Sequence, residues 1–178
     1  AAGCPKPAMR SVEFARNHGV RLHVRSSFTW EVGTWVTEEE SMEHAIISAV
    51  VDDDSEAKVT IAGVPDRPGI AASLFRRLAD ANVNVDMIVQ NVSEDGVTDI
   101  SYTAPKEDLR TSLDITQSLA DEIGATGVTS DSDIARVSVV GAGMKSNPGV
   151  AATMFETLAG HGINIEMIST SAIRISCV

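Results

Sequence analysis

Asp66-Arg67-Pro68-Gly69 is the stretch of this chain whose residue types best suit chemistry. It stands between an alternating apolar run and a run of helical periodicity, so it reads as a helix start. There the free backbone N–H groups of Gly69-Ile70-Ala71 and the positive end of the helix dipole together attract a small carboxylate. Gly69 permits close approach of a ligand to the backbone. Asp66 can pair with an ammonium group, so the turn offers one partner for each end of a free amino acid. Gln90, Asn91 and Ser93, at the end of the next strand, bring side-chain donors and acceptors toward the same helix start. Plainer readings stand beside these: Asp66 only caps the helix, Gly69 only makes the turn, and the three polar residues are an ordinary strand edge.

Other chemistry has little support. His18, His23, His44 and His161 lack metal-ligand spacing, and Cys4 and Cys177 lie at opposite ends without ligand-like neighbours, so neither a metal site nor a disulfide framework is indicated. No nucleophile and base can be paired. Gly141-Ala142-Gly143-Met144-Lys145-Ser146 joins a strand to a helix, yet its spacing fits neither the P-loop nor the dinucleotide fingerprint. Asp52-Asp53-Asp54 reads as a solvated turn without a role. With 25 acidic against 14 basic residues and a net charge of -11, the chain is a poor partner for nucleic acid or anionic lipid. Without a long apolar span or an apolar N-terminal run, it is expected to be soluble and cytoplasmic.

The elements that position the turn occur twice. Val59 to Ser93 is written again as Val137 to Ser171, and with Pro68-Gly69 set on Pro148-Gly149, ten of the 21 positions from 68 to 88 are identical to those from 148 to 168. A period of this size suits a duplicated small domain rather than a solenoid. Asp66 falls on Ser146, which makes the first copy the stronger amino-acid site.

The first copy predicts strands at Val59–Val64, Val83–Val92 and Thr98–Ala104, a helix from Gly69 to Asp80 and another from Glu107 to Ile123 ended by Gly124. A closing strand follows at Thr126–Ser130. Leu74, Phe75 and Leu78, with Ala71 and Ala79, give the first helix one buried face, and Ser93-Glu94-Asp95-Gly96 is a hairpin turn. The order β-α-β-β-α-β is ferredoxin-like. The second copy predicts strands at Val137–Val140, Ile163–Ser169 and Ala172–Val178 and a helix over Gly149–Ala159. Its second helix and last strand are not written, so it reads as incomplete and the chain as a fragment. His44 to Val51 is a spare strand that could serve the second copy as an edge, nesting the first copy inside it. Before it, Ser11–Asn17 reads as a helix and Val20–Arg25 as a strand, too little for a domain and consistent with the tail of a larger one. The expected class is α+β: a tail over 1–36, a linker and extra strand over 37–57, a module over 58–131 and an incomplete one over 132–178.

These residues resemble the regulatory region of aspartokinase. In copy one the likeness rests on Ser55-Glu56-Ala57-Lys58-Val59-Thr60, Asp66-Arg67-Pro68-Gly69, Asn84-Val85-Asp86-Met87-Ile88 and Gln90-Asn91-Val92-Ser93. In copy two it rests on Val140 to Ser146, Pro148-Gly149-Val150 and Ile168-Ser169-Thr170-Ser171. The modules resemble tandem ACT domains. Arg10-Ser11-Val12-Glu13-Phe14-Ala15 with Val24-Arg25-Ser26-Ser27-Phe28 is similar to the end of that family's kinase domain, and Met42-Glu43-His44-Ala45 to the start of a separately translated regulatory subunit.

The resemblance implies a homodimer in which lysine and threonine bind where the first module of one chain meets the second of the other, producing feedback inhibition. It implies contacts from Asp66, Gly69, Ile70, Ala71, Gln90 and Ser93, completed across the interface near Pro148, Gly149, Asn164 and Ile165. The family's lysine- and glycine-rich nucleotide motif is absent. No catalysis is therefore expected from this chain alone, and it needs no cofactor; ATP and Mg would serve the catalytic subunit or domain that phosphorylates aspartate. The competing expectation is a dimerisation module without effector binding.

Overall fold

The computed structural model describes residues 7–37, 47–92, 95–141, 147 and 149–178. Cys4, His44, Ser93, Glu94, Pro148, most of the acidic linker and residues 142–146 lie outside the described residues.

The first module is built from β4 (Glu56–Pro65), α2 (Ile70–Asp80), β5 (Ile88–Val92), β6 (Val97–Pro105), α3 (Leu109–Ile123) and β7 (Gly127–Asp131). Its sheet has the order β5-β6-β4-β7 with antiparallel neighbours, the ferredoxin-like arrangement. β4 alternates between buried Ala57, Val59 and Ile61 and less buried neighbours, as expected of a strand with one face under helices. Leu74 and Leu78 of α2 and Leu119 and Ala120 of α3 close that face over Ile100 and Tyr102.

The second module comprises β8 (Arg136–Val140), α4 (Gly149–Gly160), β9 (Ile168–Thr170) and β10 (Arg174–Cys177), completed by β3 (Ala49–Asp53) in the order β3-β8-β10-β9. The spare strand thus takes the place that β7 has in the first sheet, as the nested reading supposed, but it lies later than expected. Asp52 and Asp53 are therefore strand residues rather than part of a solvated turn, because the register sets Asp53 opposite Arg136. Each module's first strand follows directly on the other module's edge strand, β3 into β4 and β7 into β8.

The segment 83–92 is not one continuous strand. Only Ile88–Val92 forms the ladder, while 83–87 crosses from helix to sheet, with Asp86 N–H donating to Thr103 O (3.2 Å) and Thr103 N–H to Met87 O (3.0 Å). Residues 163–167 behave alike: Glu166 and Met167 N–H both donate to Val178 O.

Ahead of the modules stand α1 (Met9–Asn17) and a hairpin of β1 (Leu22–Val24) and β2 (Thr34–Val36). β2 was not foreseen, since three residues after Gly33 are too few to show alternation. His23 stacks on Trp35 at 3.9 Å between ring centroids.

Candidate functional site

The turn from β4 to α2 is shaped by a bulge. The β4/β6 register slips between Ile61 and Val64, and there Gly63, at φ +65°, donates its N–H to Asp99 Oδ1 at 2.9 Å. A Cβ at Gly63 would lie 2.0 Å from Thr126 Oγ1, so the site requires glycine for space as well as for conformation. Beyond the bulge, Asp66 N–H donates to Gly96 O (2.9 Å) and Arg67 N–H to Pro65 O (2.9 Å), which fixes the backbone before the helix.

Asp66 does not cap α2. The N-cap is Gly69 at φ +96°, no side chain bonds to the cap, and Pro68 precedes the helix. Only a glycine without Cβ readily reverses the chain so sharply at that point. The first helical N–H groups, at Ile70 and Ala71, thus start a helix with no side-chain acceptor on them, and Asp66 is exposed beside them.

These residues line one cleft of about 300 Å³, with walls from Val64 to Ala71 on one side and Gln90, Thr98 and Ile100 on the other. Asp66, Gly69, Ile70, Ala71 and Gln90, named from the sequence, come together there. Thr98 and Ile100 were missed; their alternation in β6 marked them as strand residues, but only the register with β5 and β4 brings them under the turn. Asn91 follows Gln90 with its side chain on the opposite face of the sheet.

The second-module candidates do not share a cleft within one chain. Gly149 begins α4, whereas Asn164 and Ile165 come after its far end, a helix length of roughly 18 Å away. Ile165 packs on that module's core. None of the three lines the first module's cleft. Ser93 and Pro148 lie outside the described residues.

Shifted acidities occur elsewhere. Hydrogen bonds from the Ser55 hydroxyl and N–H, and more weakly Arg136, hold the Asp53 carboxyl below its ordinary value. Burial pushes up the Tyr102 phenol and the Cys177 thiol. Among the described residues no group of three His, Cys, Asp or Glu is placed to hold a metal ion, and no helix is long and apolar enough to cross a membrane.

Residues 58–123 and 137–178 each match an ACT domain family. The chain is 49% identical over 181 residues to the aspartokinase of Mycobacterium tuberculosis, a match covering 99% of this chain and 43% of that protein. It therefore spans less than half the length of such curated relatives. Its fold is similar to the ligand-free regulatory subunit of aspartate kinase from Thermus thermophilus, with a TM-score of 0.71 and 39% identity over 75% of this chain and 87% of the other. It is also similar to a solved aspartokinase with alpha and beta subunits, with a TM-score of 0.68 and 45% identity over 74% of this chain and 86% of that one.

Proposed function

We propose an effector-sensing function on the premise that this chain belongs to the aspartokinase family and forms a regulatory region built of two ACT domains. The ligand is an amino acid, threonine or lysine. Its carboxylate lies on the N–H groups of Ile70 and Ala71, Gly69 gives it room, Asp66 pairs with its ammonium group, and Gln90 bonds its polar atoms. One observation carries this reading: an uncapped helix start, an exposed carboxylate and a strand amide face the same cleft.

Ser93 belongs with this set, and Pro148, Gly149, Asn164 and Ile165 complete it from a second copy in a homodimer. Their separation along α4 is compatible with different parts of the second module meeting the partner. Effector binding favours one dimer arrangement and so lowers the activity of the attached catalytic subunit or domain, which phosphorylates L-aspartate with ATP and Mg. A coupling of about 1–3 kcal/mol is enough for such feedback inhibition. The chain alone turns nothing over, and it works in the cytoplasm.

The second reading, an assembly module without effector, draws on Ile88 and Ile168. These sit at equivalent places on the two outer strands, 52% and 47% exposed, as apolar side chains awaiting a partner would be. Calorimetric titration with threonine, lysine and both together, with Asp66→Ala as control, separates the readings. Heat that vanishes in the variant is the expected result. A folded dimer giving no heat with any combination leaves the assembly module.

A further inference from the structure

The strand registers define which residues of the two modules are equivalent. Thr60 and Ser101 share a hydrogen bond of 2.8 Å across β4 and β6, and Ser138 and Ser176 share one of 2.8 Å across β8 and β10. Lys58 therefore corresponds to Arg136, and the second copy carries two extra residues before its helix. Asp86 corresponds to Glu166, each standing just before a buried methionine, Met87 or Met167.

The ion pairs cross between the modules in both directions. Arg136 of the second module meets Asp86 of the first, and Lys58 of the first meets Glu166 of the second. Met87, Met167 and Val178 form an apolar cluster of their own at the same seam. The seam lies at the end of each sheet opposite the turn that opens the helix, because Asp86 enters β5 at the end away from Val92.

The two crossings differ in strength. The Arg136 side chain is 10% exposed and faces Asp53 on β3 (2.8 Å), Glu56 on β4 (3.0 Å) and Asp86, while Arg174 on β10 approaches Asp86 at 3.7 Å. Lys58 and Glu166 are 21% and 39% exposed and, among the described residues, form an ion pair only with each other. Breaking the more buried cluster leaves acids without a counter-charge, a greater penalty than losing a half-exposed pair.

We propose that these reciprocal pairs are a latch through which each module holds the outer strand of the other. Arg136 is a positioning residue for β5, the strand that carries Gln90 into the first module's cleft, and Lys58 is the weaker positioning residue for β9. The latch gives occupancy at one cleft a route to the other module. That consequence rests on the effector reading, whereas the latch does not.

Amide hydrogen exchange on the full chain tests it without ligand. Arg136→Met should speed exchange at Met87, Val89 and Asn91, whose N–H groups face β6, by about tenfold, the size of a lost coupled contact, with little change in β9. Lys58→Met should act on Met167, Ser169 and Ser171, whose N–H groups face β10 and the chain beside it, by a smaller factor and spare β5. A general loss of stability would not produce this crossed pattern. Lys58→Glu with Glu166→Lys should restore the β9 rates that either change alone raises, and this swap with Arg136→Lys carries the test should Arg136→Met not fold. Faster exchange confined to the substituted residue's own module, or spread evenly over both, overturns the latch. Titration of the same proteins with threonine and lysine separates the two proposals: no binding by the unsubstituted chain overturns the effector reading, while the exchange pattern still decides the latch.

Discussion

The two modules share a core plan and differ in how much of it is covered. The buried residues under the second module's helix, Val139, Met154, Ile175 and Cys177, stand where the first has Ile61, Leu74, Ile100 and Tyr102. The helix exits match as well: Asn82 (φ +58°) and Gly162 (φ +72°) take the left-handed position, and Val83 and Ile163 donate to Leu78 and Leu158 at 2.9 and 3.0 Å. Among the described residues, only the first module has a second helix, α3, over its sheet. Leu119 and Ala120 lie on its sheet, and Tyr102 OH bonds Thr116 Oγ1 at 2.7 Å. Cys177 occupies the equivalent place and forms no such bridge. Duplication therefore reproduces the local code faithfully, while burial follows from which helices lie above each sheet.

Truncating the equivalent core position in each copy measures how differently the two modules are packed. Leu74 is fully buried and Met154 is 9% exposed. Leu74→Ala should cost about 3–5 kcal/mol of unfolding free energy and Met154→Ala about 2, because the looser surroundings relax into the space. Chemical denaturation of both variants gives the two values. Equal losses would mean that the second module is packed as tightly as the first.

A smaller effect tests whether the bulge belongs to the cleft. Gly63→Ala meets Thr126 at 2.0 Å, whereas Gly69→Ala meets nothing within 4 Å and bears only the strain of φ +96°. Gly63→Ala should cost roughly 2–3 kcal/mol and Gly69→Ala about 1–2, both read from thermal unfolding. If the cleft is the amino-acid site, Gly69→Ala should weaken binding more than its small stability loss suggests, since the added methyl faces the ligand.

The smallest effect concerns the seam. Asp53 titrates below its ordinary value of 3.8 in the fold. A depressed carboxylate contributes stability that is fully present above pH 3.8 and is lost as pH falls through the lower folded value. Asp53→Asn should lower the melting temperature near neutral pH and flatten its decline below about pH 4, with no change in the slope above pH 5. An unaltered acid limb would show that the Ser55 and Arg136 bonds to Asp53 contribute little.

The sequence alone determined the duplication, the order of elements in each module and the turn at Asp66 to Ala71, because apolar spacing, glycine position and helix exits are local properties that a repeat states twice. It also singled out Gln90, for its polar character at a strand end. Its plainer reading of Asp66 as a cap fails, since Gly69 decides where α2 starts, and it left Asp53 without a role. Tertiary structure alone decided that β3 belongs to the second module, that Thr98 and Ile100 line the first cleft, and that Lys58, Asp86, Arg136 and Glu166 meet across a seam. The physical reason is distance along the chain: Arg136 and Asp53 are 83 residues apart and Lys58 and Glu166 108 apart. Pairing at that range is set by strand register and by the packing of one sheet beside another, which no local pattern records.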